Sequence, residues 1–250
     1  MKKTGLTFIF LLFVGFCFAQ DIEQNNEKPI SKDGKNLLKI NLLSLPLKNY
    51  SLGFEHKLGK KITAGIGYRF MPNGQMPFLS KIKTFVDDPD VAKQLNELYV
   101  SNTAISPEIR FYLGKQAMRG FYLAPFSRIS NYKIAVPIEY EENNIKESIP
   151  MSGELKTFTA GLQIGAQWKL GGRVYLDWWI LGPQYGKANG SLSGKKALTA
   201  NEQAEIRKEL EGLDIPFVTT TTTVNSSGAR LDIKGPWASI RAGLNLGFRF

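Results

Sequence analysis

Cysteine and histidine are almost absent from this 250-residue chain, which has one of each, Cys17 and His56. A single thiol excludes a disulfide framework, and with one histidine the usual zinc clusters are excluded too. Long apolar runs are also missing: beyond residue 19 no stretch reaches the roughly 18 consecutive apolar residues of a membrane helix. If that part of the chain crosses a bilayer it does so with strands. In lipid, strands have to close into a barrel, because an open edge leaves backbone groups unpaired. Acids are outnumbered, with 22 Asp and Glu against 32 Lys and Arg and a formal charge of +10.

The first residues account for part of that charge. Lys2 and Lys3 precede an apolar stretch through Phe8, Phe10, Leu11, Leu12, Phe13 and Val14, which ends in Cys17-Phe18-Ala19 before Gln20. This reads as a signal peptide over residues 1–19. Bulky Phe16 argues against a lipid anchor on Cys17. Loss of Lys2 and Lys3 lowers the charge to +8. For an exported chain the expected polyanion is a phosphorylated lipid headgroup rather than nucleic acid. Residues 20–35 are polar and read as a flexible periplasmic arm, and residues 36–250 read as one domain.

From Asn36 onward the hydrophobic pattern has period two, the mark of a sheet with one apolar face. Phe158, Ala160, Leu162, Ile164, Ala166, Trp168 and Leu170 alternate with Thr159, Gly161, Gln163, Gly165, Gln167 and Lys169. Ile62, Ala64, Ile66, Tyr68 and Phe70 likewise alternate with Thr63, Gly65, Gly67 and Arg69. The pattern predicts eight strands, near 37–46, 49–58, 61–71, 103–113, 120–132, 155–170, 173–186 and 235–250. Their connections alternate. Gly59-Lys60, 114–119 and Gly171-Gly172 are short, whereas 72–102, 133–154 and 187–234 are long, and the first is a tight turn near Lys48. An all-β, eight-stranded, antiparallel up-and-down transmembrane barrel has this order, with short periplasmic turns and long outer loops.

Two of the long connections carry helix signals, so short helices are expected in the outer loops. Asp88 and Pro89 open one, with Val91, Leu95 and Leu98 at helical spacing; Thr199 and Glu202 form a capping box ahead of Ile206, Leu210 and Leu213. Residues 218–224 and 230–233, joined by Asn225-Ser226-Ser227-Gly228, read as a β-hairpin.

The last strand ends Leu244-Asn245-Leu246-Gly247-Phe248-Arg249-Phe250, with Phe248 and Phe250 at alternate positions. With Ser51-Leu52-Gly53-Phe54-Glu55, Pro107-Glu108-Ile109-Arg110-Phe111-Tyr112 and Leu176-Asp177-Trp178-Trp179-Ile180-Leu181-Gly182-Pro183, the chain resembles a family of small outer-membrane barrels of Gram-negative bacteria, OmpA-like or OmpX-like in architecture. The resemblance covers nearly all of the chain after residue 19. It implies that Phe248 and Phe250 are read by the barrel assembly machinery, and it carries over no catalytic or binding residue.

If the apolar face meets lipid, Glu55, Arg69, Glu108, Arg110, Asp177 and Arg241 point into the lumen. An eight-stranded lumen is only wide enough for side chains, so the expectation is a network of paired charges that plugs it. A gated ion path along the same charges is the alternative. Lys57, Lys60, Lys61, Lys115, Arg119, Lys169, Arg173 and Arg249 gather at or near the short turns, which contain no acid, and form an expected basic periplasmic rim. Tyr50, Phe70, Phe121, Trp168 and Trp237 are placed for an interface belt. His56 falls on the outer face near a short turn, at the wrong end for outer-leaflet acid–base chemistry. No cofactor or metal is expected. The reading is a non-enzymatic outer-membrane protein acting in surface contact or envelope integrity, with outer-membrane lipids and the assembly machinery as partners. A narrow channel, an outer-leaflet lipid-modifying enzyme and a soluble ligand carrier are the alternatives.

Overall fold

A computed structural model describes residues 34–75, 96–142, 145–213 and 217–250. They form one antiparallel sheet of β1 (Asn36–Asn41), β2 (Tyr50–Lys57), β3 (Ile62–Gln75), β4 (Tyr99–Tyr112), β5 (Gly120–Glu142), β6 (Ile145–Gly171), β7 (Val174–Lys195), β8 (Thr219–Asn225) and β9 (Gly228–Arg249). Each strand from β1 to β6 pairs with the next, and β9 pairs with β7 along one edge. Its other edge takes β1, from Leu37 opposite Arg249 to Asn41 opposite Asn245. Eight strands therefore close into a ring in up-and-down order. β8 is the ninth and pairs only with the start of β9.

Side chains sort by parity. On the outward face stand Leu52, Phe54, Ile66, Tyr68, Ile105, Ile109, Phe121, Ile129, Phe158, Leu162, Ile240, Leu246 and Phe248, all exposed. Inward stand Lys39, Glu55, Glu108, Arg110, Asp177 and Arg241, all buried. This inverts the usual globular arrangement, in which the apolar face is covered.

The strands run further than the period-two signal indicates. Residues 133–154 and 187–234, expected as loops, are mostly extended chain: β5 continues to Glu142, β6 starts at Ile145, β7 reaches Lys195 and β9 starts at Gly228. The cause is a change of phase. Low on β5 the apolar residues are the odd-numbered, outward Phe121, Leu123 and Ile129; higher up they are the even-numbered Ile134, Val136, Ile138 and Tyr140, which pack inward. β6 switches from Phe158, Leu162 and Ile164 outward to Ile149 and Met151 inward, and β9 from Ile240, Leu246 and Phe248 to Leu231 and Ile233. No backbone irregularity separates the two regimes in β5 and β6, whose pairing runs unbroken from Gly120 opposite Gln167 to Glu142 opposite Ile145. What changes is which face carries the apolar residues.

The inward apolar residues of the extended strands enclose α1 (Ala200–Glu211), which buries Glu202, Ile206 and Leu210. The capping box forms: Thr199 Oγ1 accepts from the Glu202 amide at 3.2 Å, and Glu202 Oε2 accepts from the Thr199 amide at 2.7 Å. A helix of this length is marginal alone, and its place is set by Tyr140, Ile149, Met151, Leu192, Val224 and Leu231 around it. Lys196 draws the polar edge together, donating to Tyr140 Oη at 2.6 Å and to Glu147, while Tyr140 Oη donates to Glu202 at 2.5 Å. These hydrogen bonds hold the Glu202 carboxyl below and the Lys196 ammonium above their usual ranges. The hairpin at Asn225-Ser226-Ser227-Gly228 is also present, with Gly228 at φ 145°. The helix expected from Asp88 falls mainly on residues 76–95, outside the described residues. The first strand is shorter than expected: β1 stops at Asn41, and a 3-10 turn at Leu45–Leu47 with Lys48 at φ 52° leads into β2.

Candidate functional site

Parity places one charged layer across the lower lumen. β1 supplies Lys39, β2 Glu55, β4 Glu108 and Arg110, β7 Asp177 and β9 Arg241. Lys39 Nζ donates to Glu55 at 2.6 Å and to Asp177 at 2.9 Å. Arg110 donates through Nε to Glu108 at 2.6 Å and through Nη1 to Asp177 at 2.8 Å and Gln167 at 3.1 Å. Arg241 Nη1 reaches Glu108 at 2.8 Å, and its guanidinium lies 3.7 Å from the Trp179 ring centroid. Three cations therefore face three carboxylates, and the layer is neutral.

The remaining carboxylate lone pairs are taken by neutral donors. Thr63 Oγ1 and Tyr112 Oη donate to Glu55 at 2.7 and 2.6 Å. Tyr122 Oη and Trp179 Nε1 donate to Asp177 at 2.7 and 3.1 Å. That saturation is what makes buried ion pairs tolerable, since each ion forfeits several kcal/mol of hydration. Among the described residues, Arg110 Nη2 and Arg241 Nε are buried without a partner. Arg110, Glu55, Asp177, Gln163, Gln167 and Tyr122 are wholly inaccessible to water. Below the layer, the 113–119 connection folds inward and Met118 packs against Leu37 and Tyr175, closing that end of the lumen.

Five of the six lumenal charges read from the sequence thus meet in one network, and Arg69 does not. It lies higher, with Nε and Nη2 donating to Asn102 Oδ1 at 3.0 and 2.7 Å. The member that was missed is Lys39, which holds two carboxylates together. Its signal was present, a lysine between Leu38 and Ile40 at an inward position. Tyr112 and Tyr122 gave no such signal, because inward tyrosines do not stand out from outward ones by composition.

The basic rim is partly as expected. Lys60, Lys61, Lys115, Arg119 and Arg173 are exposed at the short connections, and Lys57 and Lys169 are half-buried there. Arg249 is a correction: it is buried, donating to Tyr175 Oη at 2.6 Å and to the Gly34 carbonyl at 2.7 Å. Its odd number in β9 puts it on the inward face with Arg241 and Asn245. The same parity corrects Trp237, which points inward and packs against Tyr132 with ring centroids 5.4 Å apart. Tyr50, Phe70 and Phe121 are exposed on the outer face, Trp168 stacks on Trp178 at 6.5 Å, and Phe248 and Phe250 point outward. His56 is half-buried, its Nδ1 2.7 Å from Asn36 Oδ1.

Replacing Lys39 by Met leaves three carboxylates against two guanidiniums in a dry layer. The expected loss is about 3–5 kcal/mol, the usual cost of breaking a buried pair, read from urea unfolding of the purified protein. The K39M/E55Q double variant should lose less than the sum of its single variants. A K39M midpoint equal to wild type would contradict a charge-balanced plug.

No curated protein matches the chain. Residues 8–189 match the family described as "Protein of unknown function (DUF3575)", and the chain belongs to that family.

Proposed function

We propose that the protein is an integral outer-membrane β-barrel, exported by a signal peptide over residues 1–19. On this reading its lumen is plugged, and its upper half stands outside the bilayer as a rigid, non-enzymatic surface for contact or envelope integrity. The observation that carries the reading is the phase switch. An apolar band faces outward around the ring and stops where the same strands turn their apolar residues inward. Residues 62–70 of β3 and 240–248 of β9 mark the band, nine residues each, and a tilted membrane strand needs about 9–11. Above the band the outward positions carry Lys133, Glu154, Lys156, Lys187 and Lys234, which suit water.

The neutral, buried charged layer and the apolar closure by Leu37, Met118 and Tyr175 support a plugged lumen. It favours a display role over a conducting one, because an ion would have to displace buried, paired charges. OmpA-like architecture, recognition of Phe248 and Phe250 by the assembly machinery and helices in outer loops belong to the same reading. So does the orientation that sets the rim of Lys60, Lys61, Lys115 and Arg119 against phosphates of the inner leaflet.

Leu162 is 46% exposed in the middle of the outward band. L162R should cost about 2–4 kcal/mol in lipid vesicles and much less in a water-facing position such as Lys156→Arg; an L162R barrel as stable as wild type would refute a lipid contact there. The variant with Lys60, Lys61, Lys115 and Arg119 all changed to Gln should bind anionic vesicles more weakly than wild type, and equal binding would remove the rim from the proposal.

A further inference from the structure

Above the neutral layer the lumen changes character. Arg69 on β3 and Arg128 on β5 are half-buried and face inward, and no described carboxylate forms an ion pair with either. Arg128 Nε donates to Ser106 Oγ at 2.9 Å. Among the described residues its two terminal nitrogens have no acceptor, and Arg69 Nη1 has none. Register places the two arginines two strands apart and one inward step along, since Arg69 stands opposite Ala104 and Ile105 opposite Ile129. At about 4.8 Å per strand and 3.4 Å per residue their Cα atoms lie roughly 12 Å apart, a gap that an oxyanion lying between the two side chains can bridge.

Among the described residues these cations find no ion-pair partner of their own. The floor is Glu108, already bound by Arg110 and Arg241. The ceiling is apolar, from Ile134, Met151, Leu192 and Leu231. The walls bring further donors: Ser130, next to Arg69 in register through Ala104, has a buried Oγ without a partner among the described residues. Ser106 Oγ, occupied as an acceptor by Arg128, keeps its own hydrogen to give.

Two strand edges beside the arginines lack a described ladder partner. β2 stops pairing with β3 at Phe70, and β1 stops at Asn41, after which Leu42 donates to the Leu244 carbonyl. β9 has no partner on that edge again until Lys234 meets β8. Above the short β1–β2 hairpin, β3 and β9 therefore have no ladder partner among the described strands on the edges that face each other beside the arginines.

We propose that this chamber is a binding site for a phosphate group, held by Arg69 and Arg128 with Ser106 and Ser130 as hydroxyl donors. Planar guanidiniums with free terminal nitrogens suit a tetrahedral oxyanion, and a bound phosphate removes the cost of two unpaired cations in a partly dry lumen. The phosphate arrives either free or as a lipid headgroup, the latter between the edges of β3 and β9 that have no described ladder partner. The site requires the closed ring and not the membrane placement, so it stands or falls separately from the proposed cellular role.

The test is thermal unfolding of the purified full chain in non-ionic detergent, followed by intrinsic fluorescence. One series titrates inorganic phosphate against chloride at constant ionic strength. A second compares mixed micelles containing phosphatidylglycerol with micelles containing diacylglycerol of the same chains. A saturable, phosphate-specific rise in melting temperature in the first series identifies a free oxyanion, and a rise only with phosphatidylglycerol identifies a headgroup. In either case R69Q/R128Q should bind at least about tenfold more weakly, as expected for loss of charge-assisted hydrogen bonds. If the double variant does not fold, R128Q, which gives up one bond to Ser106, carries the same comparison. No specific rise in either series, or an undiminished rise in the variant, overturns the proposal.

Discussion

Closure of the sheet between β1 and β9 is the constraint from which the other features follow. Once Leu37 to Asn41 pair with Arg249 to Asn245, each strand has one face inside and one outside, and a residue's parity decides its surroundings. Low in the ring the inward side chains are fully buried, so carboxylates there must find cations at hydrogen-bond distance. Lys39, Arg110 and Arg241 meet Glu55, Glu108 and Asp177 for that reason. A shift of one residue in the β1 register would turn Lys39 outward and expose two acids to a dry interior.

Viewed from the short connections upward, the interior is a stack of layers with different chemistry. Leu37, Met118 and Tyr175 come first, then the neutral charged layer, then two arginines that form no ion pair with a described acid, and last the apolar cluster around α1. The outer surface follows its own order, apolar below and charged above. The two orders change over at about the same height, near residues 129–134 of β5 and 155–158 of β6. One strand can serve both halves because the period-two geometry stays constant while the apolar residues move from one parity to the other.

That change of parity also explains what could be read from the sequence and what could not. The lower strands were legible because Phe158 to Leu170 alternate against small and polar partners without interruption. The upper parts of β5 and β6 were not, because at the crossover neither parity is consistently apolar and a window spanning it averages the two; in β7 a bulge between Trp179 and Gly182 moves the inward positions from odd to even numbers. Thr199 and Glu202 were legible because a capping box is local. Five of the six network charges were found by parity alone, but their pairing needed the register. Arg69 separates from the group because Asn102, two residues above Ala104, captures its guanidinium. Trp237 was misplaced because nearness to a strand end was weighed over its odd number, which it shares with Arg241.

The most direct test of the central claim, that the parity switch marks the edge of a lipid-facing band, is a single-cysteine spin-label scan along outward positions of β5 in lipid vesicles. The rest of the chain after Cys17 holds no cysteine, so each label is unique. Labels at Phe121, Leu123 and Ile129 should collide with dissolved oxygen in preference to a water-soluble nickel complex, and labels at Lys133, Ala135 and Glu139 should show the reverse. Preference for the nickel complex along the whole strand would contradict the membrane reading and leave the outward apolar band to be covered by something other than lipid.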